Sequence, residues 1–106
     1  MQADTGIPWR SSYRMAFREW FGLSSSEADL LVALFSAGGQ PVARIDLARR
    51  LGATPNSITT FVSTLRKALD TEAIDSATGS YWLTDQGIAE CRGVVWTLAE
   101  ELRRAS

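Results

Sequence analysis

Residues 47–69 read LARRLGATPNSITTFVSTLRKAL. Leu47, Ala48 and Leu51 form an apolar stripe on a first helix that begins near Arg44. Gly52 follows, where a residue able to take positive φ commonly closes a helix. Thr54-Pro55 opens a second helix, with threonine as N-cap and proline in the first helical position. Ile58, Val62, Leu65 and Leu69 recur at spacings of four, three and four, which puts them on one face. Asn56, Thr60, Ser63, Thr64 and Lys67 fall on the other, all polar and mostly small. A helix buried on one side, with short hydrogen-bonding side chains and a cation on the other, suits a DNA major groove. It equally describes an ordinary amphipathic helix with a solvated face, so the flanking sequence decides.

Upstream, residues 1–10 lack periodicity and contain Gly6 and Pro8, which predicts a flexible arm. Ser11 or Ser12 caps a helix over 11–22, ended by Gly22. Its stripe is Tyr13, Ala16, Phe17 and Trp20, aromatic enough to need a large partner surface in this chain or in a second subunit. Ser24 and Glu27 make a capping box for a helix running to about Ala37. Leu30, Leu31, Leu34 and Phe35 give that helix a wide apolar face. Gly38-Gly39 break it, and Gln40-Pro41-Val42 reads as a short edge strand.

Downstream, Ile74, the turn Ala77-Thr78-Gly79 and Tyr81-Trp82-Leu83 read as a hairpin, with Tyr81 and Leu83 inward and Trp82 on the other face. Thr84 caps a last helix over 84–104. Ile88, Cys91, Val95, Leu98 and Leu102 form a heptad-like seam along it. At some twenty residues the helix is about 30 Å long, enough to overhang a small core. The expectation is a homodimer, with Tyr13, Phe17, Trp20, Val95, Leu98 and Leu102 at the interface; packing within the chain is the alternative.

Composition narrows the function. At 106 residues, 45% hydrophobic and 22% charged, the chain is one globular domain rather than a disordered segment. There is no histidine, and Cys91 is the single cysteine. The commonest general base and the usual zinc ligand sets are therefore missing. No catalytic residues, no metal site and no cofactor are expected, and the chain is not read as an enzyme. With no spanning segment or leader in sight, a cytoplasmic protein without membrane contact is expected. Net charge is −1, yet residues 44–70 carry +3 and residues 71–106 carry −3. The positive charge thus gathers around the candidate reading helix.

Leu47-Ala48-x-x-Leu51, Pro55, Ile58-Thr59, Val62 and Leu65, then the hairpin and Tyr81-Trp82-Leu83-Thr84-Asp85-Gln86-Gly87, resemble the winged helix-turn-helix of MarR-type regulators and of smaller PadR-like proteins. Val62 to Leu69 is also similar to the reading helix of OmpR-type effector domains. The resemblance implies a mainly α fold with a small β-hairpin wing: a winged-helix core over 24–83 with added N- and C-terminal helices. It further implies a bacterial dimeric transcription regulator that binds double-stranded DNA. Asn56, Thr60, Ser63, Thr64 and Lys67 would face bases or phosphates, with Arg44 and Arg66 flanking them on the backbone. Three features depart from the pattern: the chain is short, the wing lacks its usual basic residue, and an aromatic helix replaces the OmpR-type N-terminal sheet. The alternative is a winged-helix adaptor that binds a protein partner. The positions of Trp9, Trp20, Trp82 and Trp96 discriminate, since tryptophans exposed on one side favour an adaptor.

Overall fold

A computed structural model of the chain describes residues 6–105, with side-chain environments from residue 13 to residue 104. Its elements are α1 (Gly6–Phe21), α2 (Ser25–Ser36), β1 (Val42–Ala43), α3 (Arg44–Leu51), α4 (Pro55–Ala68), β2 (Ile74–Ala77), β3 (Ser80–Leu83) and α5 (Asp85–Ala105). The fold is mainly helical with one small antiparallel sheet, ordered β1-β3-β2. Among the described residues no helix is long and apolar enough to cross a membrane.

Local hydrogen bonding sets most helix ends. The Ser24 amide donates to Glu27 Oε1 at 2.9 Å and the Glu27 amide to Ser24 Oγ at 3.2 Å, closing the expected capping box. The Ser57 amide donates to Thr54 Oγ1 at 3.1 Å, with Pro55 next to the cap. Gly52 closes α3 at φ +65°. The start of α1 differs from the sequence expectation. The helix begins at Gly6 and runs through Ser11 and Ser12. Pro8 falls in its first turn, where amides have no intrahelical acceptor, so its missing N–H costs nothing there. Residues 6–10 of the expected arm are therefore helical; residues 1–5 lie outside the described residues.

The core forms around α2, whose Ala28, Leu30, Leu31 and Leu34 are all buried. α1 packs on α2 and α5, while α3, α4 and β3 cover the rest of α2. Phe17 is fully buried, with Phe35 edge-on at 5.9 Å and Phe21 and Tyr13 at 6.1 and 6.4 Å. Phe17 is therefore a core residue of its own chain, and its assignment to a dimer interface is corrected. Arg14 Nε lies 2.8 Å from Asp29 Oδ1 across α1 and α2, an ion pair whose N–H points off the line to the oxygen.

The hairpin register pairs Ile74 with Leu83 and Ala77 with Ser80, leaving a two-residue turn of Thr78 and Gly79. Both take positive φ, +53° and +75°. That is the twist a tight hairpin requires. Val42 and Ala43 pair with Tyr81 and Ser80 on the other side of β3, so a short edge strand forms, but over Val42–Ala43 rather than over Gln40-Pro41-Val42. Tyr81 and Leu83 are buried, and Trp82 is half-buried on the opposite face.

Two groups on α5 are perturbed by burial. Cys91 is fully buried, and burial, followed by the neighbouring Glu90 carboxylate, pushes its thiol up to about 12. Glu90 Oε2 is buried without a hydrogen-bond partner. Burial raises the Glu90 carboxyl above its ordinary value, and the Asp70 carboxylate adds to the effect. A carboxyl raised in the fold holds its proton more tightly there than in the unfolded chain. Its ionisation therefore costs stability as the pH rises above the ordinary glutamate range. Glu90→Gln is expected to raise Tm at pH 7, with the gain shrinking as the pH falls towards about 4. Thermal melts of both proteins across that range check it, and a gain independent of pH would exclude ionisation as the cause.

Candidate nucleic-acid interface

Ile58, Val62 and Leu65 fix the roll of α4 by burying one face. At 3.6 residues per turn, Asn56, Thr60, Ser63 and Lys67 lie opposite. All four are exposed, and Thr64 beside them is half-buried. Among the described residues, the Asn56, Ser63 and Lys67 side chains make no hydrogen bond or ion pair. The threonines differ. Thr60 Oγ1 donates to the Asn56 carbonyl at 3.2 Å and Thr64 Oγ1 to the Thr60 carbonyl at 3.3 Å.

Arg44 and Arg66, expected together as backbone contacts, are used differently. Arg44 is the exposed first residue of α3, and its Nη1 donates to Thr59 Oγ1 on α4 at 3.3 Å. The Thr59 hydroxyl in turn donates to the Pro55 carbonyl at 3.3 Å and lies 3.5 Å from the Tyr81 hydroxyl. This short network holds the Arg44 guanidinium beside the polar face of α4. Thr59 was not singled out from sequence because it stands a quarter turn off that face. Its four-residue distance from Pro55 was the available signal.

Arg66 points to the hairpin. Its Nε and Nη2 donate to the Ile74 carbonyl at 3.1 and 3.0 Å, and Nη2 also reaches Ser76 Oγ at 3.3 Å. β2 is an edge strand, so a carbonyl facing away from β3 has no strand partner. Arg66 satisfies it and ties the end of α4 to the hairpin. Arg66, expected among the DNA contacts, thus has its guanidinium engaged with the hairpin as a clamp. Arg66→Met removes the guanidinium and keeps the stem. It is expected to cost about 2 kcal/mol, the scale of a charged hydrogen bond and an orphaned carbonyl. Urea denaturation checks the figure, and a change below about 0.5 kcal/mol would show that the clamp is dispensable.

Little cationic charge remains facing outward from this surface. Arg49 pairs with Asp46 at 3.6 Å on an exposed turn of α3. Arg50 stands with Asp29 and Ala33 around a separate hollow towards α2. Among the described residues, Arg44 and Lys67 are thus the cations left at the face of α4. The hairpin carries exposed Asp75 and Ser76 and no Lys or Arg, and Asp75 Oδ1 is occupied by the Ser76 amide at 2.8 Å.

The expected dimer residues separate into three groups. Phe17 is consumed by the core. Tyr13, Val95 and Leu98 are half-buried, Tyr13 against Phe17 and Phe35. Trp20 is 62% exposed and Leu102 57% exposed, the latter where α5 runs past the core. A hollow of about 360 Å³ between α1 and α5 is lined by Met15, Trp20, Val94 and Leu98, with Glu19 and Glu101. Trp96, 67% exposed, sits on the far side of α5. The Trp9 side chain lies outside the described residues.

Among the described residues, no group of three or more His, Cys, Asp or Glu side chains is placed to hold a metal ion. No protein-family profile, curated protein or solved structure matches this chain.

Proposed function

We propose that this chain is a winged-helix transcription regulator that binds double-stranded DNA as a homodimer, with α4 in the major groove and β2–β3 as the wing. The observation that carries the reading is the outward face of α4. Asn56, Ser63 and Lys67 stand there exposed and without partners among the described residues, while Arg44 is held alongside through Thr59. Short amide and hydroxyl groups read base edges, and the two cations neutralise phosphates. The helix–turn–helix of α3 and α4, followed by a tight hairpin and the Thr84 cap, supports the same reading through its resemblance to MarR-type proteins. The second subunit would cover the apolar edge of α1 and α5, where Trp20 and Leu102 lie exposed. Two reading helices would then sit about 34 Å apart, one turn of DNA.

Selection from a pool of random duplexes is expected to return an inverted repeat with half-sites about ten base pairs apart. A single asymmetric half-site would contradict the dimer, and no enriched sequence would contradict DNA reading. Lys67→Ala is expected to weaken all duplexes alike and to lower the salt slope of log K by about 0.9 per subunit. An unchanged slope would remove Lys67 from the phosphate contacts. Exposed Trp20 and Trp96, together with the small cationic surface, favour a protein-binding adaptor as the second reading. A partner bound through Trp96 by a chain that selects no DNA would establish it.

A further inference from the structure

The hydroxyls on the reading face of α4 are not equivalent, and their difference limits what base chemistry they can meet. A threonine hydroxyl has one proton to give. Thr59 gives it to the Pro55 carbonyl and accepts from Arg44, so its oxygen is committed both ways. Thr60 gives its proton to the Asn56 carbonyl, and Thr64 gives its proton to the Thr60 carbonyl. Neither can donate to a purine N7 or to a base carbonyl without breaking a bond inside the helix. What Thr60 offers outward is a lone pair and a methyl group.

Thr60 is also well placed. It is exposed, near the centre of the face, and one turn beyond Asn56, the second residue of α4. The N-terminal part of a reading helix is the part that meets base edges. In the major groove the apolar feature of a base pair is the C5-methyl of thymine, and a threonine methyl is a suitable contact for it. We infer that Thr60 is a specificity-determining residue that recognises the C5-methyl of a thymine in the DNA site. The inference rests on the DNA-binding reading above and adds a base preference to it.

The test uses the full chain and the duplex enriched by selection. Each thymine of one half-site is replaced in turn by deoxyuridine, which removes the methyl and leaves the Watson–Crick edge intact. At one position the replacement is expected to weaken wild-type binding about fourfold, the scale of one buried methyl group. Thr60→Ser is expected to lose about the same on the thymine duplex and to discriminate no further at that position. Thr60→Val, which keeps a methyl in place, is expected to retain the discrimination. Equal wild-type affinity for thymine and deoxyuridine at every position overturns the inference and leaves DNA binding standing. So does a Thr60→Ser protein that still discriminates fully. Failure to enrich any duplex overturns both the inference and the reading beneath it.

Discussion

Phe17→Ala is expected to lower the free energy of unfolding by about 4 kcal/mol, within the range for truncating a fully buried phenylalanine. The ring has no exposed surface and meets Tyr13, Phe21 and Phe35 at centroid distances between 5.9 and 6.4 Å. Its removal leaves a cavity between α1 and α2 that helices held by the buried Leu30, Leu31 and Leu34 collapse into only in part. A domain of this size has about 5–15 kcal/mol of stability, so the variant would be largely unfolded on mild heating. Urea denaturation followed by tryptophan fluorescence measures it. A loss below about 1 kcal/mol accompanied by a change in oligomeric state would return Phe17 to an interface role.

Gly87→Ala is expected to cost about 3 kcal/mol, at the upper end of overpacking effects. A Cβ at residue 87 would overlap the Ala73 carbonyl oxygen and approach the Ala73 carbonyl carbon and Leu83 Cδ2 to 3.0 Å. The obstruction is backbone, and that backbone is fixed. The Ala73 carbonyl accepts from the Thr84 amide at 2.9 Å and lies 3.2 Å from Thr84 Oγ1. The same hydroxyl donates to the Glu72 carbonyl at 2.7 Å and accepts from the Gly87 amide at 3.2 Å. Thr84 therefore caps α5 and binds the loop before β2, and glycine three residues later lets the two segments touch. Within the run Leu83-Thr84-Asp85-Gln86-Gly87, this close approach accounts for Thr84 and Gly87. Gly87→Ala should separate α5 from the hairpin and lower Tm by more than about 10 °C. A Tm within about 2 °C of wild type would show that Ala73 moves aside freely.

Features that depend on three or four neighbouring residues were readable from the sequence. The Ser24–Glu27 box, the Thr54-Pro55 start, the Gly52 stop and the Thr84 cap are each closed by hydrogen bonds within the motif. The hairpin was readable for the same reason, although Ala77, read as part of its turn, ends β2 and leaves Thr78 and Gly79 alone to make the turn. What was not readable depended on distant partners. The α1 stripe shows that Phe17 is buried, but a stripe does not say whether the covering residue is Phe35 of the same chain or a side chain of another. Arg66 reads as a free cation on a polar helix until the Ile74 carbonyl, eight residues on, is seen to lack a strand partner. α1 starts at Gly6 rather than after Ser11 or Ser12, because Pro8 is tolerated in a first turn that starts earlier. In the candidate interface, the face of α4 was legible from periodicity alone. The network from Arg44 through Thr59 towards Tyr81 required the fold.

The surface makes a quantitative demand on DNA binding. Among the described residues, Arg44 and Lys67 are the cations left at the face of α4, so the proposed dimer would neutralise about four phosphates and log K should fall with log salt at a slope of about −3.6. Fluorescence anisotropy of a labelled duplex titrated with protein across a salt series measures this directly. Binding at low salt with a slope near that value is the expected result. No binding at low salt, or binding indifferent to salt, would contradict DNA recognition by α4 and turn the search to a protein partner.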